Sequence, residues 1–196
     1  MSSTETKPKS LASPRRVIGT DISGVPGYAG KSTTTRRKIK AVGISYHRNR
    51  GVDAYVRAVA GASPMETIAI ERQGVLCAFI DDLSKQMGLP SLRMFDILGV
   101  PKAKVRKKGA TEMYIDGCAG QSAVGIIKLL GIVRAIVNNS TAEEAKNFDS
   151  TQWFGQWIER PQPALGGRKP AELMDTPTGV KIVAKLLRSI ESGAYQ

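Results

Sequence analysis

The lone histidine, His47, lies in Tyr46-His47-Arg48-Asn49-Arg50. No carboxylate stands beside it to orient the ring, so it has no partner for acid–base work. Two cysteines, Cys77 and Cys118, are too few for a Cys-based zinc site or a disulfide scaffold. They suit small buried side chains in a reducing cytoplasm. Asp81-Asp82 is an acidic pair, but neighbours on a helix point about 100° apart, so they form a solvated face rather than a dyad. Gly30-Lys31-Ser32 matches the end of a phosphate-cradling loop. The earlier glycine that loop needs falls on Val25, with Gly24 one place early, and neither a buried strand nor a helix flanks it. The residues therefore supply no catalytic constellation, no metal set and no cofactor site, and an enzyme is not expected.

The informative chemistry is cationic. Ser91–Gly109 reads as two short helices joined by the tight turn Gly99-Val100-Pro101, a helix-turn-helix arrangement. Val100 and Val105 would pack the second helix on the first. Lys102, Lys104, Arg106, Lys107 and Lys108 would then reach phosphates and guanine edges of operator DNA. The alternative turn at Gly88 would make Ser91–Leu98 the reading helix, a segment too apolar for that work.

Charge is uneven along the 196 residues. Of the net +12, residues 1–50 carry +9, from eleven Lys/Arg against Glu5 and Asp21. This stretch is rich in Ser, Thr and Gly and lacks an apolar period, so it reads as a basic flexible tail. Its centre, Arg36-Arg37-Lys38-Ile39-Lys40, suits non-specific phosphate contact or serves solubility alone. The N-terminus has no apolar run that would mark a secretory signal.

From about Val52 the pattern is helical throughout. Ser63-Pro64-Met65-Glu66 combines an N-cap, a proline at the first helical position and a glutamate at the third. Leu76, Phe79, Ile80, Leu83 and Met87 form one apolar face, and Gly88 ends it. Leu92, Phe95 and Leu98 are expected inward on the next helix. Gln121–Val137 is a long apolar helix. Lys128 and Arg134 at its centre mark it as a core helix rather than a membrane span. Thr141 with Glu144 should open another short helix. Trp153, Phe154, Trp157 and Ile158 share a face, and Pro170 opens a helix of one or two turns to Met174. Thr176-Pro177 starts a last helix with Val180, Val183, Leu187 and Ile190 in a stripe, Ile182 and Leu186 beside it, and Gly193 at its end. No strand pair is expected, so the fold class is all-α.

Between the last helices lies Pro161-Gln162-Pro163-Ala164-Leu165-Gly166-Gly167-Arg168-Lys169-Pro170. The glycines open backbone conformations closed to other residues, and the prolines stiffen the surroundings. A rigid loop flanked by tryptophans suits protein docking.

These residues resemble a family. Trp157-Ile158, Pro161, Ala164-Leu165-Gly166-Gly167, Pro170, Leu173-Met174, Thr176, Gly179, Val183, Leu186-Leu187, Ile190 and Gly193 fall where the toxin-binding domain of the MbcA/ParS/Xre antitoxins has its motif. Met87-Gly88-Leu89 and Leu98-Gly99-Val100 are similar to that family's Xre-like DNA-binding part. Gln162 stands where asparagine is usual, Gln121 replaces the Glu of a Glu-Ser pair, and Lys128 stands where Arg is common. The resemblance covers about Pro64 to Gln196 and implies a helical Xre-like DNA-binding domain at 51–140 and a toxin-binding domain at 141–196; the basic tail at 1–50, read from composition, lies outside it. It implies an antitoxin of a type II pair that neutralises a RES-domain, NAD⁺-consuming toxin and represses its own operon. The partners would be that toxin, operator DNA and a second copy in a homodimer, in the bacterial cytoplasm at the nucleoid. Trp157, Leu165, Gly166, Gly167 and Arg168 would meet the toxin. Tyr195 and Gln196 would project from the last helix into the toxin's cleft. The rival expectation is a free-standing helix-turn-helix regulator whose C-terminal half only dimerises.

Overall fold

A computed structural model describes residues 43–105 and 112–191 of the chain. The residues described are mainly helical: α1 (Gly51–Ala60), α2 (Pro64–Gln73), α3 (Cys77–Gln86), α4 (Ser91–Ile97), α5 (Lys102–Val105), α6 (Gly117–Asn139), α7 (Ser150–Ile158) and α8 (Pro177–Glu191). Short 3-10 turns at Arg48–Arg50, Glu143–Asn147, Pro163–Leu165 and Pro170–Leu173 fill the connections.

The local signals explain the helix starts. Ser63 Oγ accepts from Glu66 N–H at 3.3 Å, and Glu66 Oε2 accepts from Ser63 N–H at 2.8 Å, a complete capping box for α2. Asp149 Oδ1 accepts from Thr151 and Gln152 N–H at 3.0 and 2.9 Å and caps α7. Thr176 Oγ1 accepts from Gly179 N–H at 3.1 Å at the start of α8.

α6 is the axis of the fold, packed by α1, α2, α7 and α8. It is long and apolar enough to cross a membrane, but the residues it buries, among them Val124, Ile126, Ile127, Leu129, Leu130 and Val133, face protein. Its glycines let neighbours close in. A Cβ on Gly125 would lie 2.8 Å from both Val180 methyls of α8, and one on Gly131 would lie 2.7 Å from Ala60 Cβ of α1. Arg134, one of the two charges in this apolar run, donates to Asp53 Oδ1 of α1 at 2.5 Å and to Thr151 Oγ1 of α7 at 3.0 Å. It thereby ties three helices together.

The structure departs from the sequence expectations at four places in the backbone and core, besides the polar residues described below. First, β1 (Val75–Leu76) and β2 (Tyr114–Ile115) form a two-residue antiparallel pair, with Val75 opposite Ile115 and Leu76 opposite Tyr114. Gly74, at φ +87°, permits it: a Cβ there would lie 2.5 Å from the Ile115 carbonyl oxygen. Second, Leu92 is 57% exposed; Phe95 and Leu98 are buried as expected, and Met94 and Ile97 take the inward place that Leu92 leaves. Third, Thr141 caps nothing; Ala142 stands before a 3-10 turn. Fourth, the core reaches further toward the N-terminus than composition indicates. Tyr46 is buried and packs edge-on against Tyr55 and Phe79. Residues 1–42, including the basic run at Arg36–Lys40 and Gly30-Lys31-Ser32, lie outside those described.

One hydrophobic core joins the helices on both sides of residue 140. Val56, Phe79, Met94, Ile127, Phe154 and Val183 all belong to it.

Candidate functional site

The C-terminal segment is assembled around close backbone contacts. Gly155 lets α7 press on the carbonyl of Met87, at the end of α3, where any side chain would collide. α7 buries Phe154, Trp157 and Ile158. Trp157 is 7% exposed and stacks on Trp153 at 5.8 Å and Phe154 at 6.2 Å. It belongs to the core that supports the following loop. Trp153 is half-buried and Phe148 exposed beside it, at 6.1 Å.

The loop after α7 closes on itself through Gln162. The Gln162 carbonyl accepts from Leu165 N–H at 2.9 Å and Gly167 N–H at 3.1 Å, and Gln162 N–H donates to the Arg168 carbonyl at 3.0 Å. The Gln162 side chain turns inward, and its Nε2 donates to the Arg160 carbonyl at 3.1 Å. This amide holds the loop and does not face outward. Gly166 and Gly167 adopt φ +65° and +80°, the left-handed region that glycine occupies without steric cost. No heavy atom lies within 4 Å of where their Cβ atoms would be. Conformation, not crowding, therefore selects glycine here. The outer face presents Pro163, Ala164, Gly166, Gly167 and Arg168, with Leu165 packed partly against the core.

Glu159 clamps this loop to α4. Its carboxylate accepts from Arg93 Nε at 2.6 Å, from the Arg93 terminal nitrogen at 3.3 Å and from Lys169 Nζ at 3.3 Å. The Arg93 hydrogen bonds outweigh burial and hold the Glu159 carboxyl below its ordinary value. Both ends of the loop are thus fixed, at Glu159 and at Lys169. Arg168 has no ion-pair partner among the described residues.

The second candidate face is α4, its turn and α5. Gly99, at φ +69°, donates to the Asp96 carbonyl, and Val100 donates to the Phe95 carbonyl and is buried. Lys102 is exposed and Val105 half-buried, as a helix packed on α4 requires. The side chain of Lys104 and the whole of Arg106, Lys107 and Lys108 lie outside the described residues, as do Tyr195 and Gln196. The other register, turning at Gly88, would offer Leu92, Arg93 and Asp96 of α4, of which Arg93 is already engaged by Glu159.

The remaining polar residues have structural roles. His47 is exposed and bonded to Ser45 Oγ at 3.1 Å. Asp82, expected on a solvated face, accepts from Tyr46 Oη at 2.8 Å and Arg48 Nε at 3.0 Å, with Lys85 Nζ at 3.5 Å. Burial raises the Asp82 carboxyl, but the Tyr46 bond and the two cations outweigh it and leave it below its ordinary value. Burial, then the bond to Asp82, pushes Tyr46 up to about 12. Cys77 is buried as expected, whereas Cys118, expected buried too, is exposed near the start of α6. Among the described residues no three His, Cys, Asp or Glu side chains are placed to hold a metal ion.

Two comparisons bear on this arrangement. Residues 146–193 match the family described as antitoxin Xre/MbcA/ParS C-terminal toxin-binding domain. That span takes in α7, the closed loop and α8. The chain is also 32% identical to the "Prs ADP-ribosylating antitoxin" of Sphingobium sp. (strain YBL2) over 139 residues. The alignment covers 71% of this chain and 86% of that protein.

Proposed function

Since the chain belongs to the Xre/MbcA/ParS antitoxin family, we propose that it neutralises a cognate RES-domain toxin that consumes NAD⁺, docking it on the closed loop Gln162–Arg168. The observation that carries this reading is the loop itself: it is ringed by its own hydrogen bonds, clamped at Glu159, exposed outward, and inside the span matched to a toxin-binding domain. A preformed surface loses little conformational entropy on binding. The name of the Sphingobium relative refers to ADP-ribosylation. NAD⁺ is the usual ADP-ribose donor, which supports an NAD⁺-consuming toxin as the partner. The antitoxin performs no chemistry of its own, and NAD⁺ belongs to the toxin. Tyr195 and Gln196, after α8 in sequence, enter the toxin's cleft, where Tyr195 fills its apolar part.

The same reading gives the 51–140 region operator binding and self-repression, through Lys102, Lys104, Arg106, Lys107 and Lys108, as a homodimer on a palindromic site. The packing of Val100 and the exposure of Lys102 support it. Because α8 rests on α6, the 141–196 region is best tested in the full chain and not as a fragment.

The test is co-expression with the adjacent toxin gene, read by growth rescue, co-purification and NAD⁺ level. The wild-type chain should rescue growth, and Ala164→Glu with Arg168→Glu should abolish both rescue and the complex. Both residues are exposed, so the fold should be unaffected. Full neutralisation by that double variant would overturn loop docking. Removing Ala194–Gln196 should restore NAD⁺ consumption while the complex still forms.

A further inference from the structure

α6 and α8 run side by side in the same direction. Gly125 meets Val180, and further along Val133 and Leu187 line one depression together. Between them lies an open groove of about 440 Å³. Its floor is apolar: the half-buried Ile132, Val180 and Ala184 line it over the buried Val124 and Leu129. Along α8 it extends from Pro177 to Arg188, roughly 17 Å at the helical rise. That is about three turns, the length over which a further helix would seat anchors at i, i+3 or i+4, and i+7.

The rim is cationic. Lys128 rises from α6, and Lys181 and Arg188 from α8, seven residues apart. None of the three has an ion-pair partner among the described residues, and Glu71 is the one carboxylate among the lining residues. Apolar floor and unpaired cationic rim together define the occupant by charge. The chain's own first 50 residues, at +9, would be repelled. So would a second copy docked face to face, since an isologous contact sets like rims together. Nucleic acid would satisfy the rim but leave the floor uncovered.

We propose that the α6–α8 groove is a docking site for an acidic amphipathic helix of a partner protein, which lays its apolar stripe on Ile132, Val180 and Ala184 and its carboxylates against Lys128, Lys181 and Arg188. This site is distinct from the closed loop and goes beyond the toxin-docking reading, whose test does not depend on it.

The experiment uses the full chain and a synthetic helical probe. The probe is a capped, fluorescein-labelled peptide of about 15 residues, with leucines at i, i+4 and i+7 flanked by glutamates. A matched peptide carries lysine for every glutamate. Fluorescence anisotropy should show saturable binding of the glutamate peptide and none of the lysine peptide. Lys181→Glu with Arg188→Glu should weaken binding at least tenfold while the circular dichroism and melting temperature stay unchanged. Raising salt should weaken the wild-type complex in the same direction. Absence of binding, equal binding of the lysine peptide, or binding untouched by the charge reversal would overturn the proposal. Displacement of the peptide by random duplex DNA would assign the groove to nucleic acid. A dimer in sedimentation that the charge reversal dissociates would assign it to self-association. Either result would also overturn the proposal.

Discussion

Replacing Gly166 by Ala isolates what the closed loop demands of its sequence. At φ +65° an L side chain pays about 1–2 kcal/mol for the left-handed backbone. Alanine regains about 0.4–1 kcal/mol by restricting the unfolded chain. No heavy atom lies within 4 Å of the added Cβ, so there is no overpacking to add. The net cost is therefore about 1 kcal/mol, which for a chain of 196 residues lowers Tm by about 2–4 °C. Gly167→Ala, at φ +80° and equally unobstructed, should cost about the same. Asparagine tolerates the left-handed region better than alanine, so Gly166→Asn should cost less than Gly166→Ala. Urea denaturation and thermal melting measure the three variants on one scale, because one core spans the described residues and should unfold cooperatively. A loss above about 3 kcal/mol at either glycine would show that the loop is buried against something, and the exposed docking face would fail with it. No loss at all would show that the left-handed turn is absent.

Gly155→Ala and Gly179→Ala make the opposite case, because their added Cβ atoms meet the backbone carbonyls of Met87 and Leu173, which cannot turn aside; each should cost about 3 kcal/mol or more, seen as lost soluble yield or a broadened melt. Glu159→Gln should cost about 1 kcal/mol at pH 7, since the clamp is partly exposed. The Glu159 carboxyl lies below its ordinary 4.5, so its contribution is present above about pH 4.5 and is lost as pH falls through the folded value; wild type and variant should converge in acid denaturation. Lys104→Ala with Arg106→Ala and Lys107→Ala should flatten the log–log salt dependence of operator binding by about 0.9 for each phosphate that is no longer neutralised, read by anisotropy across salt concentrations. Deleting residues 1–42, and not 1–50, should weaken binding to any DNA equally without loss of stability, because Tyr46 is already a core residue.

The parts of the fold that the sequence exposed were those written in local chemistry. Ser63-Pro64-Met65-Glu66 carries a whole capping box within four residues, and the structure forms it. Thr176 and Gly179 are three apart, and they bond. What escaped depends on partners distant in the chain. The β1–β2 pair is two residues long on each side, too short for alternation to show, and it exists because Gly74 admits the Ile115 carbonyl. α4 has seven residues, and a stripe that short does not fix its phase, so Leu92 turned outward while Met94 turned in. Asp82 read as solvated because its partner Tyr46 lies 36 residues upstream.

The site shows the same division. The Gly166-Gly167 pair announced a special turn, and its positive φ angles are what that pair allows. The sequence did not show that Gln162 organises the turn or that Glu159 fastens it to Arg93, 66 residues away. Nor did it show that Lys128, Lys181 and Arg188 share a rim, since their meeting depends on α6 and α8 lying in parallel register at Gly125 and Val180. These long-range contacts have a consequence for how the protein works. Arg93 belongs to α4, the helix on which the candidate DNA-reading turn is built, and Glu159 and Lys169 bracket the loop proposed to dock the toxin. One carboxylate therefore positions both candidate surfaces. A change at Glu159 should disturb the two activities together, whereas a change at Arg168 or at Lys102, each exposed on its own face, should disturb one and spare the other.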